Sequence, residues 1–156
     1  MSQPVPPNQK YDDASWHYEG DFPKDRPPEA GATHIGMFAA WVMLNGMASE
    51  EFAEDVEILR SRKMTPGQFV MEQCDEKMFS EMFNDDGNRF AAAYYAAENA
   101  KFGKDYEDAL ASDLPSIYHV QDTWANYEKV KPVFDRRFAE FKGGASTETK
   151  PWWKFW

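Results

Sequence analysis

Apolar residues recur at i, i+3, i+4 and i+7 through Ile35, Phe38, Ala39 and Val42, the spacing of one helix face. Trp41, Met43 and Leu44 widen that face until little of it is left for water. This segment therefore reads as the central helix. Asn45-Gly46 should end it, because both residues tolerate left-handed backbone. Ser49, followed by Glu50 and Glu51, predicts the start of a second helix with a buried stripe of Phe52, Val56 and Leu59. Thr65-Pro66 starts another, a capping hydroxyl ahead of proline at the first helical position, with Phe69, Val70 and Cys74 inward.

The second half repeats the pattern. Asp85-Asp86-Gly87-Asn88 reads as a turn, and Phe90, Tyr94 and Ala97 continue as a helix padded by alanine. Residues 105–111 predict a short helical run, and 116–120 a brief apolar connection. Asp122 or Thr123 can cap the last helical region, whose inner face carries Tyr127, Val130, Phe134, Phe138 and Phe141. Pro132 lacks the N–H that would bond the carbonyl of Glu128, which predicts a kink or a split there.

Before the first helix, residues 11–30 mix Tyr11, Trp16, Tyr18 and Phe22 with acids and the breakers Gly20, Pro23, Pro27 and Pro28. Such a run suits an irregular segment pinned to the domain by its aromatic rings. The expected fold class is all-α: a compact single-domain bundle of five to seven helices with this irregular N-terminal segment. Residues 1–10 form a flexible arm in this reading, 11–142 the helical domain, and 143–156 a flexible tail with an aromatic end. No β-hairpin signal stands out.

Composition narrows the function classes. The 156 residues carry 17 Lys and Arg against 27 Asp and Glu, a formal charge of -10, which speaks against nucleic-acid binding. Residues 64–113 hold 11 of the acids and only 4 basic residues, so the excess is local. A single cysteine rules out an internal disulfide framework and suits a reducing cytoplasm. No signal peptide or membrane span is expected, so the chain is placed in the cytoplasm.

Local catalytic and metal motifs are missing. His17, His34 and His119 are far apart, with no H-E-x-x-H and no pair at i, i+4, so no metal and no cofactor is expected from spacing. Cys74 reads as a small buried hydrophobe, and no nucleophile elbow or phosphate loop is present. A dispersed polar set remains: Asp12, Asp13, His17, His34, His119 and Asp122, which could support acid–base chemistry if the fold gathered them. Packing and capping roles for the same residues stay open.

The segments YDDASWHY (11–18), GDFP (20–23) and GATHIGMF (31–38), with Tyr118-His119-Val120 and Asp122-Thr123-Trp124, carry a resemblance. The chain resembles a family of uncharacterised bacterial single-domain proteins of this length, over residues 11–142. The resemblance implies a bacterial, cytosolic, single-domain protein, and small acidic proteins of this kind are often immunity proteins of interbacterial toxin systems. The leading expectation is accordingly a non-enzymatic binding domain that neutralises a toxin. Its steering surface would be Asp85, Asp86, Asp105, Glu107 and Asp108, with Tyr94, Tyr95 and Trp124 as anchors where exposed. The aromatic tail, Trp152 to Trp156, suits either docking on a partner's groove or folding back to cap a groove of its own domain. The alternative is a small hydrolase or transferase using His17, His34 or His119 with Asp12 or Asp122.

Overall fold

The computed structural model describes residues 8–149, with side chains through residue 143. The first seven residues and the aromatic tail lie outside the described residues. The described residues form a mostly helical domain with one two-stranded sheet. In order, the elements are β1 (Lys10–Asp13), α1 (Ala14–Tyr18), α2 (Thr33–Val42), α3 (Ala53–Ser61), α4 (Pro66–Gln73), β2 (Lys77–Phe79), α5 (Asp85–Phe90), α6 (Phe102–Tyr106) and α7 (Trp124–Thr149). A wider π-type turn, Met43–Met47, closes α2, its backbone leaving helical geometry at Asn45 and Gly46, and others extend α5 over Ala91–Ala96 and α6 over Glu107–Ala111.

The central helix is where the apolar pattern puts it. Every residue of α2 is buried, and Ile35, Phe38 and Trp41 are among the most enclosed side chains. Such all-round burial requires partners on all sides. α4 crosses so closely that a Cβ on Gly36 would sit 2.2 Å from the carbonyl oxygen of Pro66, so only glycine fits. Phe134 of α7 and Phe90 of α5 pack on Phe38 from other directions. The helix ends at Asn45 and Gly46, as the sequence predicts.

Thr65 makes the expected cap on α4, accepting from Gln68 N–H while Gln68 accepts in return from Thr65 N–H. Other expectations need correction. Ser49 spends its hydroxyl on the carbonyl of Glu81, so a 3₁₀ turn, Glu50–Phe52, leads into α3 without a side-chain cap. Asp85-Asp86-Gly87-Asn88 is the first turn of α5, because Asn84 accepts from Gly87 N–H and the two acids lie at the positive end of the helix. The connection at 116–120 is a 3₁₀ turn, Ile117–His119, capped by Ser116. α7 is a single helix with Pro132 inside it: Val130 and Phe134, on either side, are both fully buried, and that packing outweighs one lost hydrogen bond. It also runs to Thr149, through the segment read from sequence as tail.

The N-terminal segment is more ordered than its composition suggests. β1 pairs antiparallel with β2, Lys10 opposite Phe79, Asp12 opposite Met78 and Asp13 opposite Lys77. The register slips between Lys10 and Asp12, leaving Tyr11 as an extra residue. A bulge of this kind turns consecutive side chains inward, and Tyr11, Asp12 and Asp13 are all buried.

Candidate functional site

That bulge aims Asp12 into the interior. Asp13 then accepts from the N–H and hydroxyl of Ser15, capping α1. One turn of helix carries His17 back over Asp12. α1 lies against the 3₁₀ turn Pro28–Gly31, where a Cβ on Gly31 would meet the Ala14 carbonyl at 3.1 Å and the His17 Cβ at 3.3 Å. That close approach sets His17 beside His34, on the first turn of α2. Three short elements thus bring three residues to one point.

The geometry is tight. His17 Nε2 lies 2.8 Å from Asp12 Oδ1, and His34 Nε2 lies 3.4 Å from Asp12 Oδ2. The two Nε2 atoms are 3.3 Å apart, with the rings nearly perpendicular. Tyr95 donates its hydroxyl to Asp12 Oδ2, and the backbone N–H of Asp13 donates to Oδ1 at 2.8 Å. On the far side of His17, Nδ1 lies 2.7 Å from the Tyr118 hydroxyl. A carboxylate only accepts, so in the neutral His17 ring Nε2 carries the proton and Nδ1 accepts from Tyr118. His34 Nδ1 is buried without a hydrogen-bond partner among the described residues.

Electrostatics follow from the crowding. Burial pushes the Asp12 carboxyl up, but hydrogen bonds and charge from His17 and His34 outweigh it and hold Asp12 well below the usual carboxylate range. Burial lowers His34, against the pull of Asp12, and the neighbouring His17 lowers it further. Tyr95 is raised well above an ordinary phenol by burial and then by Asp12. The centre is therefore a carboxylate held ionised beside a buried imidazole, His34, whose protonation burial disfavours.

These atoms suit a metal ion. One donor atom from each of Asp12, His17 and His34 falls within 4.8 Å of the others. Zinc binds imidazole nitrogen at about 2.0–2.1 Å, so two nitrogens on a tetrahedral ion lie about 3.3–3.4 Å apart, close to the spacing of the two Nε2 atoms. Two histidines and a carboxylate are also a recurring transition-metal set with open positions. The side chain of His17 is 22% exposed against 9% for Asp12 and 4% for His34, so the cluster reaches solvent through His17.

The other sequence candidates lie elsewhere. Asp122 accepts from Gly67 N–H at 2.8 Å and from the Thr65 hydroxyl, holding the start of α4 rather than capping α7. Thr123 caps α7 by accepting from Asn126 N–H. His119 pairs with Asp25 at 3.1 Å and with Ser116 at 2.8 Å, away from the other two histidines' shared carboxylate. The absence of a local metal motif carried little information, because the three candidate ligands come from β1, α1 and α2.

The expected partner surface also changes. Asp85, Asp86, Glu107 and Asp108 are exposed. Tyr94 and Asp105 are buried and bonded to each other, with Arg137 closing on Asp105, so neither can serve a surface. Tyr95 is committed to Asp12. Trp124 is half-buried, donates its Nε1–H to the Met64 carbonyl, and is covered by the Arg62 guanidinium. Tyr95 is thus no surface anchor, and Tyr118, which no catalytic or metal motif marks, belongs to the cluster. The adjacency of Tyr94 and Tyr95 in one helical segment was the available signal, since neighbours on a helix point about 100° apart and cannot share one face.

Among the described residues, no helix is long and apolar enough to cross a membrane. No curated protein and no solved structure matches the chain. Residues 10–120, a span that includes Asp12, His17, His34, Tyr95 and Tyr118, match the family described as a domain of unknown function, DUF7832, and the chain belongs to that family.

Proposed function

We propose that this domain binds a divalent transition metal ion through Asp12, His17 and His34, and that the ion serves hydrolytic chemistry. The observation that carries the reading is the convergence of both Nε2 atoms on one buried carboxylate, at separations a single ion can span. Three protein ligands are the pattern of catalytic zinc sites, which keep a position for water or substrate, whereas structural sites close with four. An ion there would lower the pKa of a bound water toward neutrality and supply hydroxide as nucleophile. This is the hydrolase alternative, narrowed to His17, His34 and Asp12.

The test is metal stoichiometry. Chelator-stripped protein titrated with Co²⁺ should take one equivalent and develop the visible bands of a low-coordinate site. His17→Ala and Asp12→Asn should each lose more than about 100-fold in affinity, beyond the roughly 10–100-fold cost of an outer-shell change. Unchanged binding in both variants overturns the reading.

A second reading keeps the toxin-binding role on a smaller surface. Asp85, Asp86, Glu107 and Asp108 are exposed, and such acids would speed encounter with a basic toxin domain. Replacing the four by Asn and Gln should then slow association with the toxin of the same locus at low salt. Equal rates at low and high salt would count against it.

A further inference from the structure

The hydrogen bond between His17 and Tyr118 has a direction that a metal ion would reverse. In the neutral metal-free ring, a proton on Nε2 serves Asp12 Oδ1 at 2.8 Å, and Nδ1 then accepts from the Tyr118 hydroxyl at 2.7 Å. A metal ion needs the Nε2 lone pair, so the ring proton must sit on Nδ1. Nδ1–H then donates to the Tyr118 oxygen, and the Tyr118 proton is released to a new acceptor. The tyrosine changes from a donor spent on histidine to a donor free for a ligand.

The position of Tyr118 sets which ligand could use it. Its ring packs over both imidazoles, with centroids 5.6 Å from His17 and 6.0 Å from His34, and Phe22 backs it at 4.8 Å. Tyr118 therefore stands on the His17 side, by which the cluster reaches solvent. Its oxygen is separated from the ion position by the width of the His17 ring, about 6–7 Å with ordinary Zn–N and hydrogen-bond lengths. One coordinated atom cannot bridge that distance. Two oxygens on one carbon can, with one on the ion and the other accepting from Tyr118.

Charge points the same way. A divalent ion with one carboxylate and two neutral imidazoles is left with a single positive charge in a largely buried site, which a monoanion cancels. Building on the proposed metal centre, we infer that its open position takes a carboxylate group, with one oxygen on the ion and the other held by the Tyr118 hydroxyl. Tyr118 is in this view the residue that selects and orients the ligand, and Phe22 holds Tyr118 in place.

Co²⁺-loaded protein provides the test, because its visible spectrum shifts when the fourth ligand changes. Acetate and chloride are titrated into wild type and Tyr118→Phe. Acetate binding should weaken about tenfold in the variant, the loss of one hydrogen bond to a charged group. Chloride, a single atom, should bind both proteins alike. Equal acetate affinity in the two proteins, or equal losses for acetate and chloride, overturns the role of Tyr118. A wild-type chain that takes up no Co²⁺ overturns the metal centre itself, so the two failures are told apart. Tyr118→His, which restores a donor nearby, should recover part of the acetate affinity if the hydrogen bond is what matters, and a failure to recover any counts against it.

Discussion

Two buried carboxylates, Asp12 and Asp105, are each bonded by one of two consecutive tyrosines, and their surroundings differ. Tyr94 donates to Asp105 and Tyr95 to Asp12. Asp105 also receives both Arg137 Nε and Nη2, at 2.8 and 3.0 Å, a two-pronged pair that brings its own positive charge. Burial raises the Asp105 carboxyl, but Arg137 and Tyr94 outweigh it and leave it low. Asp12 instead faces two imidazoles that crowd each other at 3.3 Å, one of them with an unpartnered nitrogen. One network is closed by a fixed cation within the chain. The other has imidazole nitrogens and a negative charge but, among the described residues, no permanent cation, the arrangement the proposed metal ion would complete.

The largest effect should come from supplying that cation. Zn²⁺ at about 1,000 times its Kd stabilises a folded state by about 4 kcal/mol, equivalent to roughly 10 °C in Tm for a chain of this size. Thermal unfolding of the stripped protein should show that rise, and Asp12→Asn should remove it while Asp105→Asn keeps it. A rise in Asp12→Asn as large as in wild type would erase the distinction between the networks.

The closed network should give the next largest effect. Asp105→Asn takes away the charge that Arg137 is paired with. Breaking a fully buried pair costs about 3–5 kcal/mol. Arg137 is 23% exposed and keeps Glu140, so about 2 kcal/mol is expected here. Denaturant unfolding of metal-free wild type and variant measures it. A loss below about 0.5 kcal/mol, the surface-pair range, would place Asp105 with ordinary surface acids.

Sequence made the closed features legible where they are local. The Thr65 capping box, the apolar run of α2 and the stop at Asn45-Gly46 are set by residues within one or two turns of each other. The β1–β2 pairing was not legible, because its partners lie more than 60 residues apart and no hairpin turn announces them. The site was half legible: His17, His34 and Asp12 were candidates by residue type, but so were His119 and Asp122. Nothing short of tertiary structure separates the three that share a point from the two that do not. Tyr94 and Asp105 misled for a related reason. An acidic, aromatic-rich stretch sums the same whether its members face solvent or each other.

Acid separates His34 from the two buried carboxylates by pH. His34 is lowered, first by burial, with Asp12 opposing and His17 adding to it; Asp12, His17, Tyr95, Tyr106 and Tyr118 are the titratable groups around it. A histidine held neutral in the fold takes its proton first in the unfolded chain, near pH 6.5. Its stabilisation is present above that pH and is lost as pH falls below it toward the folded value. Asp105 and Asp12, both lowered against an unfolded value near 4, hold their contributions until pH falls below about 4 and then lose them. Stability of the metal-free protein should therefore decline in two steps, and His34→Gln should abolish the upper one. A single decline below pH 4, unchanged in His34→Gln, would mean that His34 charges freely in the fold.

The smallest effect is the most selective. Tyr94→Phe and Tyr95→Phe each remove one hydroxyl donated to a buried carboxylate, and each should cost the metal-free protein about 1 kcal/mol. On stability alone the two tyrosines are equivalent. They part once metal is present. Tyr95 holds one oxygen of a carboxylate that also faces the two imidazoles proposed as ligands, so its loss should weaken Zn²⁺ binding about tenfold, as outer-shell changes do. The Tyr94 hydroxyl bonds Asp105, which Arg137 already pairs, and its loss should leave Zn²⁺ affinity unchanged. Competition with a chromogenic chelator reads both. Equal affinities in the two variants would show that Asp12 and Asp105 differ in their neighbours but not in what they do.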